Sequence, residues 1–230
     1  MATETNSITP GPGRVGFVPP LENGDCLSRP EFERRYEAMP DLKRAELIEG
    51  IVHVSSPVSL SHAEADALMM VWLGTYAAQT MGVRSAANAT VRLDMLNEVQ
   101  PDALLRLSGA PDVERVFIDR APELVVEVAS SSVSRDLHSK FNLYRRHGVR
   151  EYVVWRILER DVDWFHLEDG VYARVVPGED GILRSREFPG LWLDKPALLA
   201  GEMGKVLAVL AQGIGTPEHA EFVTRIAPQA

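Results

Sequence analysis

Two charged residues occupy unusual positions in the stretch LVVEVASSSVSRDLHSKFNLY, residues 124–144. Glu127 interrupts a valine-rich run typical of a strand covered on both faces, where a carboxylate is costly to bury unless a cation, a metal or a hydrogen-bond donor compensates it. Lys140 falls within the apolar arc of the helix predicted after that strand, given about 100° of rotation per residue. Because the strand leads into the helix, we expect Glu127 and Lys140 to approach each other at one edge of a sheet.

A third charged residue, Asp102, is expected near Glu127 and Lys140. Asp102 follows Pro101 in VQPDALL, at the start of another predicted strand, where proline is tolerated. The interval up to Glu127 leaves room for two neighbouring strands and a loop. Two carboxylates beside an ammonium group can hold a hard divalent ion such as Mg²⁺ and orient an attacking water. The three residues therefore indicate metal-assisted hydrolysis.

The elements that position these residues follow from hydrophobic periodicity and from turn and cap signals. Helices are predicted after Ser28, from Ser61 to about Met81, and from about Ser134 to His147, and a hairpin is predicted around Glu49–Gly50. The further predicted strands are VRSAA and TVRLDML around Asn88, VQPDALLRL, ELVVEVA, EYVVWRIL, VDWFHLED and VYARVV. This order predicts an α/β (α+β) fold with a central mixed β-sheet flanked by helices.

Composition bounds the number of domains. The 230 residues are 45% hydrophobic and 25% charged, which is enough for one sizeable core. We predict a disordered Pro/Gly-rich leader over residues 1–26, one folded domain over 27–200, and a C-terminal helix and tail over 201–230. The amphipathic segment LLAGEMGKVLAVLAQGI could form a homodimer or cap its own domain.

The compartment follows from cysteine usage and hydropathy. Cys26 is the single cysteine, so no disulfide forms within one chain and a reducing compartment is expected. The N-terminal segment lacks the basic start and apolar core of a signal peptide, and no apolar run approaches the roughly 20 residues of a membrane span. We expect a cytoplasmic protein without a membrane partner.

The charge balance constrains contacts with nucleic acid. The formal net charge is −9, from 24 Lys+Arg against 33 Asp+Glu, which argues against broad electrostatic adhesion to nucleic acid. A local basic run, RDLHSKFNLYRRHGVR, nevertheless follows the predicted strand that contains Glu127. Its residues Arg135, Arg145 and Arg146 are candidates for contacts with backbone phosphates.

Several motifs, taken in order, resemble the Uma-two-type putative restriction endonuclease family of the PD-(D/E)XK nuclease superfamily. They are ELIEG at 46–50, SLSH ending at His62, QPDALL, LVVEVASSSVSRDLHSKFNLY, GVREYVVW and GILRSREFPGLWLD, and they cover roughly residues 28–200. The resemblance implies a restriction-endonuclease-like fold and hydrolysis of DNA phosphodiester bonds with Mg²⁺ or Mn²⁺, without an organic cofactor.

The resemblance also implies roles for individual residues. Asp102 and Glu127 would bind the metal, with the backbone carbonyl of Val128 as a further ligand. Ala129 stands where the superfamily pattern has its lysine, so Lys140 would supply that function from the following helix. The auxiliary residues are Glu46 and His62, which match additional polar positions of the family, and Tyr144, which shares the helix face of Lys140.

Other interpretations stay open at this point. Glu127 and Lys140 could form a structural buried ion pair without catalysis. The chain could be a nuclease-fold binding or interaction module with little or no turnover, which its acidic charge favours. It could also be a phosphodiesterase that acts on RNA or small nucleotides.

Overall fold

The computed structural model describes residues 18–108, 116–130 and 136–227, so that Arg135 lies outside the described residues. In chain order the elements are α1 Arg29–Glu37, β1 Ala45–Ile48, β2 Ile51–Val54, α2 Leu60–Gln79, β3 Val83–Ala87, β4 Val91–Asp94, β5 Asn97–Val99, β6 Ala103–Leu107, β7 Leu124–Ala129, a π-helical turn Asp136–Lys140, α3 Phe141–Arg146, β8 Glu151–Arg156, β9 Asp161–Glu168, β10 Val171–Arg174, β11 Ile182–Arg184, β12 Trp192–Asp194, α4 Lys195–Leu199, α5 Met203–Ile214 and α6 Pro217–Ile226.

A six-stranded mixed sheet forms the centre of the fold. Its strand order is β10-β9-β8-β7-β6-β3, and β7 and β8 are parallel while the other neighbours are antiparallel. The parallel pair is joined by the crossover through α3, the kind of connection that parallel neighbours require. The predicted central mixed sheet flanked by helices is confirmed.

Strand β7 is buried along its whole length, which explains its nearly continuous apolar sequence. Val126 and Val128 pack with Trp72 of α2 on one face of the sheet. Val125 packs with Tyr144 of α3 on the other face. Because side chains alternate along a strand, Glu127 is directed to the α3 face, from which Lys140 approaches.

A smaller four-stranded sheet, of order β2-β1-β5-β4, stands beside the central one. Its hairpin turns at Glu49 and Gly50, with φ values of 54° and 77°, as in the two-residue turns that match strand twist. The predicted strands on either side of Asn88 are present, but β3 belongs to the central sheet and β4 to the smaller one. They are therefore not partners in a hairpin.

The folded part extends beyond the range 27–200 in both directions. Leu21 is buried and the Gly24 N–H donates to the Val52 carbonyl at 2.8 Å, so these two residues, assigned from sequence to a disordered leader, contact the domain. At the other end, Leu210 and Phe222 pack in the same core as Trp72. The predicted C-terminal helix is a pair, α5 and α6, whose apolar residues help to build the main core.

Within the described residues, no helix combines the length and the hydrophobicity that crossing a membrane requires.

Candidate active site

Asp102 and Glu127 are brought together by the pairing of β6 with β7. Ala103 is the Cα partner of Val126, and just beyond this pair the Val128 N–H donates to Asp102 Oδ2 at 2.7 Å. Both carboxylates are almost completely buried, with 3% and 2% of their surface exposed. The acids thus stand on neighbouring strands.

Lys140 joins this pair from the helical side. Its Nζ atom donates to Oε1 of Glu127 and to Oε1 of Glu46, each at 2.9 Å, and only 1% of the residue is exposed. Tyr144 donates its hydroxyl to the same Glu127 oxygen at 2.8 Å, and the Gln100 N–H donates to Glu46 Oε1 at 2.8 Å. Two carboxylates therefore share one buried ammonium group.

The local backbone explains how the lysine reaches the strand. Residues Asp136–Lys140 form a π-helical turn, whose i→i+5 bonding is wider than that of an α-helix and occurs often at functional sites. Both end residues of this turn, Asp136 and Lys140, are buried. The wide turn thus directs a charged residue inward immediately before α3 begins.

Arg44 is part of the site although sequence reasoning did not single it out. Its guanidinium group donates to Asp102 Oδ1 at 2.7 Å and also to the Gln100 carbonyl. The available signal was its position two residues before Glu46, which places both side chains on one face of an extended segment.

His62 approaches Asp102 from the first turn of α2. Ser59 caps this helix by accepting the His62 N–H at 3.3 Å. The His62 Nε2 atom lies 3.8 Å from Asp102 Oδ2 and 3.4 Å from Asp66 Oδ2. One donor atom from each of the three residues lies within 4.8 Å of the others, a set that could hold a metal ion. Asp66 was missed, although its position one helical turn after His62 was a usable signal.

Burial and neighbouring charges shift the pKa values of the two acids in opposite directions. Burial and the neighbouring carboxylates Asp102, Asp136 and Glu46 raise the pKa of Glu127 to about 8, against the lowering effect of Lys140. Burial alone would also raise the pKa of Asp102, but His62, Arg44 and Lys140 hold that pKa well below its usual range.

Two of the basic residues that face these acids, His62 and Lys140, hold their protons more tightly than usual. Asp102 and Asp66 raise the pKa of His62 to about 10. Burial alone would lower the pKa of Lys140, yet Glu127 and Glu46 raise it above its usual value, so Lys140 is a cation at neutral pH.

A cleft of about 1220 Å³ gives access to this cluster. Its walls include Asp102, Glu127, Val128, Lys140, Arg44 and His62. Lys43 and His138 also line it and are exposed. Asp102, Glu127, Lys140 and His62, all predicted from sequence, thus line one cleft, whereas Glu46 and Tyr144 are not among its lining residues.

The arginines predicted to contact nucleic acid lie elsewhere. Arg145 donates to the Gly170 carbonyl at 2.8 Å in the β9–β10 turn, and Arg146 pairs with Glu49 in the β1–β2 turn. Neither lines the cleft. Arg135 lies outside the residues that the structure describes. Within the described part, the cleft is lined by Lys43 and Arg44 rather than by Arg145 and Arg146.

The mixed sheet flanked by helices, with two acids and a lysine beside one cleft, places this chain in the α+β class. The crystal structure of a putative nuclease of DUF820 from Anabaena variabilis has the same fold, with a TM-score of 0.56 at 13% identity. The alignment covers 77% of this chain and 97% of that protein.

The family follows from the sequence comparison. The model of the Uma2 family, described as putative restriction endonucleases, matches residues 29–196. The chain therefore belongs to that family, as the motifs at Asp102, Glu127 and Lys140 led us to expect. No curated protein matches it.

Proposed function

We propose that this chain is an endonuclease that hydrolyses the phosphodiester bonds of DNA with a divalent metal ion held in the cleft. The observation that carries the proposal is the convergence of Asp102, Glu127 and Lys140 at one accessible site. A purely structural ion pair would not need a third acid or a cleft of this size. Membership of a family described as restriction endonucleases supports the same chemistry.

The residues present fit a divalent cation, Mg²⁺ or Mn²⁺. Glu46, Asp102 and Glu127 are buried carboxylates, which supply the oxygen ligands that these ions prefer; the cations that contact them among the described residues include Lys140, Arg44 and His62. We assign Asp102 and Glu127 as ligands. In an extended strand the N–H and C=O of one residue point to the same side, so the Val128 carbonyl should face Asp102 as its N–H does and could add a third oxygen.

The chemistry divides between the ion and the protein. When bound, the ion would polarise the phosphate and lower the pKa of the attacking water. Lys140 keeps its proton at neutral pH, so we assign it to orient the water and to offset negative charge on the phosphate. Glu46 fixes the position of Lys140, and Tyr144 fixes the orientation of Glu127.

Recognition of nucleic acid must work against the acidic charge of the chain. Lys43 and His138, which are exposed at the walls of the cleft, are suited to contact backbone phosphates. Arg135, Arg145 and Arg146 remain predictions for contacts outside the cleft. Homodimerisation likewise remains a prediction, based on the need of many nucleases to cut two strands.

The decisive experiment is cleavage of supercoiled and linear DNA by the purified chain with Mg²⁺, with Mn²⁺ or with EDTA. Glu127→Gln and Lys140→Met test the site, and Lys205→Met, which changes an exposed lysine paired with Glu202, is the matched control. We expect metal-dependent cutting by the wild type and the control, and none by the folded site variants.

Competing substrates separate the remaining activities. Single-stranded RNA and a dinucleotide are offered under the same conditions as the DNA. Preferential cutting of RNA or of the dinucleotide would show that DNA is not the main substrate, while the assignment of the active site would stand. Metal binding without cleavage of any substrate would instead favour a nuclease-fold binding module.

A further inference from the structure

The cleft contains a second group of potential metal ligands that differs in chemistry from Asp102 and Glu127. We propose that His62, Asp66 and Asp102 form a cation site on the α2 side of Asp102, and that this site takes a transition-metal ion such as Mn²⁺ in preference to Mg²⁺. Its relevance to catalysis rests on the proposed function, but ion binding itself can be tested without any substrate.

The distances suit a metal ion that takes the place of the His62 proton between the three side chains. His62 Nε2 lies 3.4 Å from Asp66 Oδ2 and 3.8 Å from Asp102 Oδ2. Both separations exceed the roughly 2.7–3.2 Å of an N–H···O hydrogen bond. Ligand atoms that each lie about 2.1 Å from a shared ion are separated by roughly 3–4 Å, which is the range observed here.

The second oxygen of Asp66 supplies an independent reason. Asp66 Oδ1 is buried and has no hydrogen-bond partner within residues 18–108, 116–130 and 136–227. A buried carboxylate oxygen without a donor is unfavourable by roughly 1–3 kcal/mol, more when it is charged, so such an atom calls for a partner. A cation held by both oxygens of the Asp66 carboxylate would provide one.

The surrounding contacts leave one oxygen of Asp102 facing this group. Arg44 donates to Oδ1, whereas Oδ2 accepts the Val128 N–H and is the oxygen nearest to His62. A carboxylate oxygen that accepts one hydrogen bond retains a lone pair for a further ligand bond. Asp102 can thus contribute to a site with His62 without giving up either hydrogen bond.

The histidine determines which ions the site prefers. Mg²⁺ takes oxygen ligands and dehydrates reluctantly, whereas imidazole nitrogen binds first-row transition metals more strongly. The helix fixes the spacing, because Ser59 caps its first turn and Asp66 follows His62 by one turn. The site is therefore expected to discriminate by ligand type, beside an all-oxygen site at Asp102 and Glu127.

The test is titration of the metal-free 230-residue chain with Mn²⁺, followed by calorimetry and by pulsed electron paramagnetic resonance, which detects coupling of Mn²⁺ to imidazole nitrogen. We expect nitrogen coupling in the wild type and its loss in His62→Gln. Asp66→Asn should lower the affinity for the nitrogen-coupled ion about tenfold or more, since substitution of residues that only contact the metal ligands already has effects of that size. His138→Ala, which removes another histidine of the cleft, should leave the coupling unchanged.

Each other outcome is informative. Absence of nitrogen coupling, its persistence in His62→Gln, unchanged affinity in Asp66→Asn, or displacement of the nitrogen-coupled ion by equimolar Mg²⁺ would overturn the inference. If Glu127→Gln leaves all Mn²⁺ binding unaltered while His62→Gln abolishes it, the cation site stands and the Asp102–Glu127 site of the proposed function fails.

Discussion

Lys140 Nζ lies 2.9 Å from Glu127 Oε1, although one residue belongs to a helical turn and the other to a central strand thirteen positions earlier. The same nitrogen lies 2.9 Å from Glu46 Oε1, on a strand of the smaller sheet. One ammonium group thus connects the two sheets and the helical layer. The contacts that hold these layers together thus involve the same side chain to which the proposed function assigns a chemical role.

Removing the ammonium should destabilise the fold. Lys140→Met leaves Glu46 and Glu127 buried without their cation, and breaking a buried pair costs about 3–5 kcal/mol. Adding Glu127→Gln should recover part of this loss, because one uncompensated carboxylate is then gone. Urea unfolding of the single and double variants measures the coupling. Strictly additive effects would contradict a direct interaction.

The Tyr144 hydroxyl should contribute more to the unfolding free energy than a hydroxyl that donates to a neutral acceptor. At about pH 9, above the Glu127 pKa of about 8, Tyr144→Phe removes a donor to an ionised carboxylate and should cost about 1.5–3 kcal/mol of unfolding free energy. Tyr172→Phe, which removes a bond to the Val149 carbonyl, is the matched control and should cost about 0.5–1.5 kcal/mol. In the cleavage assay only the Tyr144 variant should lose activity. Equal cleavage activity of the two variants would show that Tyr144 has no role in the active site.

Glu98 should make the fold less stable at alkaline pH. Burial, with a further contribution from Glu33, raises the pKa of Glu98 from 4.5 to about 8. An acid whose pKa is higher in the folded state binds its proton more tightly there, so stability falls as pH rises from 4.5 towards 8 and levels off above it. Glu98→Gln should therefore flatten the pH profile and raise Tm at pH 8.5 by about 2–4 °C, the shift that roughly 1 kcal/mol produces in a domain of this size.

A control keeps this measurement specific. Glu168→Gln changes an exposed acid in a surface pair with Arg186 and should leave the pH profile of Tm as in the wild type. If the Tm values of the wild type and of Glu98→Gln differ by the same amount at every pH from 4.5 to 8.5, the assigned shift in the pKa of Glu98 is wrong.

Two glycines of helix α5 test whether the C-terminal segment belongs to the core. A Cβ atom on Gly213 would meet the Gly190 carbonyl and approach Trp192 to 2.8 Å, so Gly213→Ala should destabilise the protein by about 1–3 kcal/mol or more. Gly204 has no neighbour within 4 Å of such a Cβ, and Gly204→Ala should be neutral or stabilising by up to about 1 kcal/mol. Thermal unfolding compares them. Equal Tm values would indicate that α5 detaches readily from the core.

The cleft should be the nucleic-acid surface. Lys43→Gln removes an exposed charge at the cleft and should lower the slope of log K against log salt by about 0.9 if it contacts one phosphate. Arg146→Gln, which removes a charge paired with Glu49 outside the cleft, should change the slope little. Fluorescence anisotropy with a DNA duplex measures both. A larger change of slope in Arg146→Gln than in Lys43→Gln would indicate that the arginines predicted from sequence, and not the cleft, contact the DNA.

The convergence of Glu127 and Lys140 was predictable because it depends on local periodicity. Alternation turns Glu127 to one face of β7, and the helical repeat turns Lys140 toward the sheet. The same repeat turns Arg145 and Arg146 away from Lys140, which is why they reach Gly170 and Glu49 instead of the cleft.

Long-range partners could not be predicted in this way. Arg44 and Asp102 are 58 positions apart, and their contact depends on how the small sheet stands against the central one. Asp66 carries a helical spacing to His62, yet nothing in that spacing shows that a second acid, Asp102, lies opposite. The resemblance supplied Glu46 and His62, whereas residue patterns alone did not.

The π-helical turn at Asp136–Lys140 has a consequence for how such a protein can change over evolutionary time. A π-helical turn contains one residue more than the corresponding α-helical turn, so its gain or loss rotates the preceding side chains by about 100°. The strand and the following helix can keep their packing while Lys140 is redirected or withdrawn. Under the proposed function, a single-codon insertion or deletion there would abolish cutting while the fold and its binding surface persist.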